Sequence, residues 1–205
     1  MPNWAEGTLK IKGKREDILK FCQKELNEKA NSGSYSNDKE RCVLWDLDIS
    51  EYDGSLIATT YHEPNLCIWI RNSPRNFIDM DGTDVPYYWD MDREEVSKDE
   101  YRYESTFHFY AMSKKAEEKQ DYCIVFPFKA AWGVEEEYYA RLSEEYPLEF
   151  RIYTVEQGMG FFSEFSAKDG KITEIGGGPK IGKEDGRETL YGQFVWQCPI
   201  PFMGG

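Results

Sequence analysis

The residues best equipped for chemistry are acidic and stand in the middle of the chain. Asp46, Asp48, Glu51 and Asp53 form one group, and Asp79, Asp81, Asp84, Asp90 and Asp92 form a second. Carboxylates this closely spaced are hard oxygen donors of the kind that hold Ca²⁺ or Mg²⁺. One reading is therefore a divalent-metal-dependent hydrolase built on Asp46/Asp48 and Asp79/Asp81/Asp84. The spacing argues against a dedicated calcium loop. Setting Asp79-Met80-Asp81-Gly82 on the EF-hand pattern puts Phe77 at position 1 and Tyr88 at position 12, where oxygen ligands are required. Solvated acidic turns account for the same residues more simply, so no metal ligand and no cofactor is assigned.

Other motifs fall short in the same way. Gly177-Gly178-Pro179-Lys180-Ile181-Gly182-Lys183 approaches a phosphate-binding loop. It has Glu184 where a Ser or Thr would hold Mg²⁺, and Pro179 removes an amide donor from the cradle. Gly158-Met159-Gly160 is only the front of a dinucleotide fingerprint and reads as a hairpin turn. Two histidines can titrate near neutrality. His62, before Glu63-Pro64, is expected in a loop, and His108 on a strand face. With no Gly-x-Ser-x-Gly elbow beside them, no catalytic residue is assigned and the chain reads as a non-enzyme.

The six tryptophans, Trp4, Trp45, Trp69, Trp89, Trp132 and Trp196, could serve as stacking platforms for single-stranded nucleic acid. No basic groove accompanies them, so core packing is the expectation. Tyr87-Tyr88-Trp89 is the exception. It follows Pro86 and is flanked by Asp79, Asp81, Asp84, Asp90 and Asp92. Aromatics rimmed by carboxylates are what a protein-binding hot spot looks like.

Composition fits a structural domain of unknown role whose acidity serves solubility, or an acidic face offered to a basic partner. The 205 residues carry a formal charge of −13 with a pI near 4.7, and 16% are aromatic. A mean hydropathy of −0.71 beside that aromatic content describes a folded domain with a very polar surface. Such a surface repels phosphate backbones and anionic lipid, which excludes direct nucleic-acid and membrane binding from the expected functions. From Asp46 to Glu104 there are fifteen acids against five bases, enough to steer a basic partner. Cys22, Cys42, Cys67, Cys123 and Cys198 are odd in number and form no C-x-x-C pair. With no signal segment and no long apolar run, a reducing cytoplasm is the expected setting.

The elements that must position these residues follow from periodicity. Thr8 to Lys12 alternates as a strand with Leu9 and Ile11 on one face, and Gly13 ends it. Ile18, Cys22 and Leu26 recur within Lys14 to Ala30 as an amphipathic helix. Residues 31 to 38 form a loop by composition. In the middle, 43–47, 66–70 and 103–112 look like strands among Asp-rich turns. Tyr122 to Trp132 reads as a strand, and Trp132 as part of the core. Val134, Tyr138, Leu142 and Tyr146 then mark a helix opened by Glu135-Glu136-Glu137 and closed by Pro147. Strands follow at 148–155, 161–165 and 172–175 as a meander, with one more expected at 190–196. The order predicts an α+β domain with a ferredoxin-like split β-α-β core, an antiparallel sheet with two helices on one face. The core is 1–30 and 121–175, the β-rich insertion about 41–120, and the C-terminal extension 176–205.

Pro2-Asn3-Trp4-Ala5-Glu6-Gly7-Thr8-Leu9-Lys10-Ile11 resembles the opening of the YubB-type ferredoxin-like family of plasmid, phage and integrative-element proteins. Phe128-Lys129-Ala130-Ala131-Trp132, Glu145-Tyr146-Pro147, Phe150 with Tyr153, Glu156-Gln157-Gly158 and Gly160-Phe161 are similar to its later pattern. Ala5 and Gly7 stand where that family often carries Cys and Asn. The resemblance implies a fold and a mobile-element setting, and no activity. The expected function is thus an accessory protein that binds another protein through its acidic, aromatic insertion. Its sharpest form is an inhibitor that imitates nucleic-acid charge toward a basic nucleic-acid-binding protein.

Overall fold

The computed structural model describes residues 4–26, 50–52, 55–62, 67–79, 85–87, 102–112, 120–156, 161–174 and 196. Strand β1 (Trp4–Gly13) buries Leu9 and Ile11 on one face. Helix α1 (Arg15–Phe21) follows and buries Ile18 and Phe21. It runs on through a wider, π-type turn, Cys22–Leu26, which keeps Cys22, Glu25 and Leu26 buried as well. The expected helix is therefore present to Leu26.

Strand β8 (Tyr122–Ala131) carries Tyr122, Ile124, Phe126, Phe128 and Ala130 on the same core face. Helix α2 (Glu136–Glu145) buries Tyr138, Tyr139 and Leu142. Its cap, Tyr146, is extended at φ −115° and ψ 137°, the conformation that Pro147 imposes on its predecessor. Strands β9 (Glu149–Glu156), β10 (Phe161–Lys168) and β11 (Lys171–Glu174) complete the meander. Between β10 and β11, Asp169 and Gly170 both take positive φ, 49° and 72°, as a two-residue type I′ hairpin requires. Phe21 meets Tyr146 and Phe150 edge-on at 5.4 and 5.3 Å, so α1 packs on the same face as the α2 end and β9.

The sheet is antiparallel, in the order β11-β10-β9-β1-β8. With two helices on it, the domain is α+β, as its periodicities predict. Central β1 lies so close to β9 that a Cβ on Gly7 would sit 1.9 Å from the Tyr153 carbonyl oxygen. Only glycine fits there.

Beyond β8 the sheet forks. The middle of the chain supplies β2 (Ser50–Tyr52), β3 (Ser55–His62), β4 (Cys67–Trp69), β5 (Asn76–Asp79), β6 (Val85–Tyr87) and β7 (Arg102–Ala111). The start of β8 pairs with β7 through Cys123↔Tyr110 and Tyr122↔Ala111. Its far end pairs with β5 instead, Asn76↔Ala130 to Ile78↔Phe128. β7 in turn takes β6 on its inner edge, Val85↔Glu104 to Tyr87↔Arg102, and β3 on its outer edge. β3 pairs with β2, and β4 with β5. Phe107 fills the crotch, 4.8 Å from Phe126.

Three expectations are corrected. His62 is the last residue of β3, paired with Tyr103, and not a loop residue. Trp196 is helical where a strand was expected; the rest of 190–195 lies outside the described residues, as do 31–38 and 43–47. Trp132, expected in the core, is 63% exposed. Even-numbered residues of β8 face the core, so continued alternation would bury it. The strand ends at Ala131, and Trp132 turns into the left-handed region at φ 67°, which carries its indole outward.

Candidate partner-binding surface at the open end of the fork

Register locates two residues of the predicted acidic, aromatic segment, Asp79 and Tyr87. Asp79 ends β5 opposite Cys67, on the β8 arm. Tyr87 ends β6 opposite Arg102, on the β7 arm. The residues between them, which include Asp81 and Asp84, therefore connect the two arms. Asp81, Asp84, Tyr88, Trp89, Asp90 and Asp92 lie outside the described residues, as do Asp46, Asp48 and Asp53. Among the described residues no group of His, Cys, Asp or Glu is placed to hold a metal ion.

Because β7 and β8 run antiparallel from their closed end at Tyr110↔Cys123, Arg102 and Ala131 mark the open end. Tyr87 leaves its strand at that end. So does Trp132, and β1 begins there with Trp4 opposite Ala131. The open end is aromatic. Trp4 and Phe77 meet edge-on at 5.7 Å, and Trp69 lies 5.8 Å from Phe77. Lys129 sits 5.6 Å from the centre of the Trp4 ring and pairs with Glu6 at 3.0 Å.

A tight turn after β4 supports this end. The Trp69 indole N–H donates to the Ser73 carbonyl and hydroxyl oxygens, at 3.2 and 3.0 Å. The Ser73 hydroxyl donates to the Asn76 carbonyl, and the Asn76 amide donates back to it. Asn72 and Arg75 take positive φ, 55° and 58°. The Arg75 carbonyl accepts the Ala131 N–H at 3.2 Å, tying the turn to the residue before Trp132. Thus three non-glycine residues in the left-handed region, Asn72, Arg75 and Trp132, gather at one place, a pattern typical of functional surfaces.

Beneath it lies a buried polar network. The Asn76 side-chain amide donates to the Tyr139 hydroxyl at 3.1 Å, while its Oδ1 has no partner. The Tyr138 hydroxyl donates to the Arg71 carbonyl, and that of Tyr146 to Glu25, each at 2.6 Å. Arg71 N–H donates to the Glu25 carbonyl at 3.0 Å. Burial pushes all three phenols up, with Glu25 adding to the rise at Tyr138 and Tyr146. All three stay neutral, Tyr138 and Tyr146 as donors and Tyr139 as acceptor, fixing the turn after β4 to both helices.

The sheet's other face is held by charge. Buried Lys10 and Arg151 both donate to the Trp196 carbonyl, at 3.4 and 3.1 Å, and Arg151 pairs with Glu164 at 2.8 Å. Lys12 pairs with Glu149 at 2.6 Å and lies 4.2 Å from the centre of the Trp196 ring. The nearby Cys123 thiol is pushed up to about 12 by burial, which outweighs the pull of Lys10, Lys12 and Arg151. Burial pushes Cys22 up to about 12 too. Both are free and buried, and neither is poised as a nucleophile.

No family model, curated protein or solved structure matches this chain. Among the described residues no helix is long and apolar enough to cross a membrane.

Proposed function

We propose that this chain is a non-enzymatic accessory protein that binds a basic protein partner through its acidic, aromatic middle segment. The observation that carries the reading is where the charge lies. Residues 46–104 hold fifteen acids and five bases, a net −10 of the chain's −13. The other 146 residues hold 23 acids and 20 bases. Acidity serving solubility alone would be spread over the surface; acidity confined to one segment makes a directed field. That segment includes Asp79, Asp81 and Asp84, then Tyr87-Tyr88-Trp89 with Asp90 and Asp92. In its sharpest form the partner is a nucleic-acid-binding protein, inhibited by a surface that imitates nucleic-acid charge.

The ferredoxin-like reading of the core belongs to the same proposal. It is supported by strand order: β8 and β9 run parallel, joined by α2 and separated by β1, the arrangement of a split β-α-β unit. The family likeness and the mobile-element setting rest on the resemblance of Pro2-Asn3-Trp4 and the later aromatic motifs alone. The test is capture of a partner from host lysate by the tagged protein, beside a variant carrying Tyr87→Ala, Tyr88→Ala and Trp89→Ala. The expected result is a basic protein held by the parent and lost by the variant. Equal capture by both would overturn the placement of the surface.

A further inference from the structure

Trp132 is the exposed large hydrophobic among the described residues, and its exposure is built in. Its backbone is held at φ 67°, followed by Gly133 at φ 116°, with Ala131 anchored to the Arg75 carbonyl. A bulky side chain in that region is strained, and such strain persists only where the surroundings enforce it. The indole makes no hydrogen bond or ring contact with a described residue. Glu135, Glu136 and Glu137 follow within one turn, exposed or half-buried, and their carboxylates have no partner among the described residues. Lys129, three residues before it, pairs with Glu6 at 3.0 Å. From Lys129 to Glu137 the chain holds one base and three acids, an excess of two negative charges.

We infer that Trp132 and Glu135, Glu136 and Glu137 form a receptor for an arginine or lysine side chain of the basic partner. The cation lies against the indole face, and the carboxylates offset its charge. An aromatic face attracts a cation through its quadrupole, most strongly for tryptophan, and arginine is the commoner cation in such pairs. The three glutamates at the start of α2 also gain from the helix dipole; the indole beside them is what turns an acidic turn into a cation seat. The inference rests on the protein-binding reading above and extends it. Trp132 and Tyr87 leave the sheet at the same open end, so one basic segment can reach both.

The test uses the full chain and an octa-arginine peptide, with octa-glutamate as control. Binding is followed through the Trp132 indole N–H resonance in a ¹H–¹⁵N spectrum, assigned from Trp132→Phe. Octa-arginine is expected to shift that resonance, and octa-glutamate to leave it in place. Trp132→Ala should weaken binding about tenfold, with Trp132→Phe retaining most of it. Combined Glu135→Gln, Glu136→Gln and Glu137→Gln should weaken it further at low salt. An unmoved indole resonance, or full affinity in Trp132→Ala, would overturn the inference. The variant lacking Tyr87, Tyr88 and Trp89 separates the two proposals. If it alone loses affinity, Trp132 is not a contact and the fork segment stands. If only Trp132→Ala loses affinity, Trp132 stands and the fork placement falls.

Discussion

Trp132 follows five even-numbered core residues of β8, and its outward turn depends on one backbone angle. This gives it a thermodynamic signature opposite to that of a core tryptophan. Trp132→Gly removes little buried surface and relieves a left-handed strain of ~1–2 kcal/mol, partly offset by the entropy of a new glycine. Urea denaturation should place it within about 1 kcal/mol of the parent; a loss of about 3–5 kcal/mol would mark a core residue instead. Gly7 is the converse case. Gly7→Ala drives a Cβ into the Tyr153 carbonyl at 1.9 Å, which should cost about 3 kcal/mol or more, and an unfolding curve matching the parent would contradict the close approach. At Cys22 and Cys123 burial raises the thiols from 9.0 to about 12. The unfolded thiol ionises first, so their contribution is intact below about pH 9 and lost as pH rises toward 12. Iodoacetamide at about pH 8 should spare both in the folded protein and label both in urea, as peptide mapping would report. Labelling of either in the native state would contradict their burial.

At the scale of elements, the turn after β4 joins strand pairs to helices through hydroxyls. Tyr139→Phe removes the acceptor for the Asn76 side-chain amide, in a residue whose Oδ1 already lacks a partner. It should cost about 1–3 kcal/mol by urea denaturation, and a neutral substitution would show that water satisfies Asn76. The elements legible in the sequence were those with strong alternation or clear stops. The Leu9/Ile11 face, the Tyr138-Leu142-Tyr146 stripe and the Pro147 stop all stand where periodicity placed them. The middle was less legible for a physical reason. β3 and β5 are not marked by strict alternation, and strand pairing is set by partners far away in the chain. The fork is a matter of register: β8 changes partner from β7 to β5 along its length, which local pattern does not encode. Trp132 was missed because alternation was carried one residue past the end of its strand. The following Gly133, before an acidic helix start, was the available sign of a turn there.

For the whole molecule, net charge excludes partners more readily than it names them. The central proposal is that the acidity concentrated in residues 46–104 docks a basic protein. Attraction of this kind weakens with ionic strength, since exposed charges are screened beyond ~10 Å at 0.1 M salt. Replacing all five acids, Asp79, Asp81, Asp84, Asp90 and Asp92, by Asn removes half of the net charge of residues 46–104. The most direct measurement is the affinity of the captured partner for parent and quintuple variant across a salt series. The account predicts a steep fall with salt for the parent, and a much weaker, flatter dependence for the variant. Equal affinities with no salt dependence would contradict it.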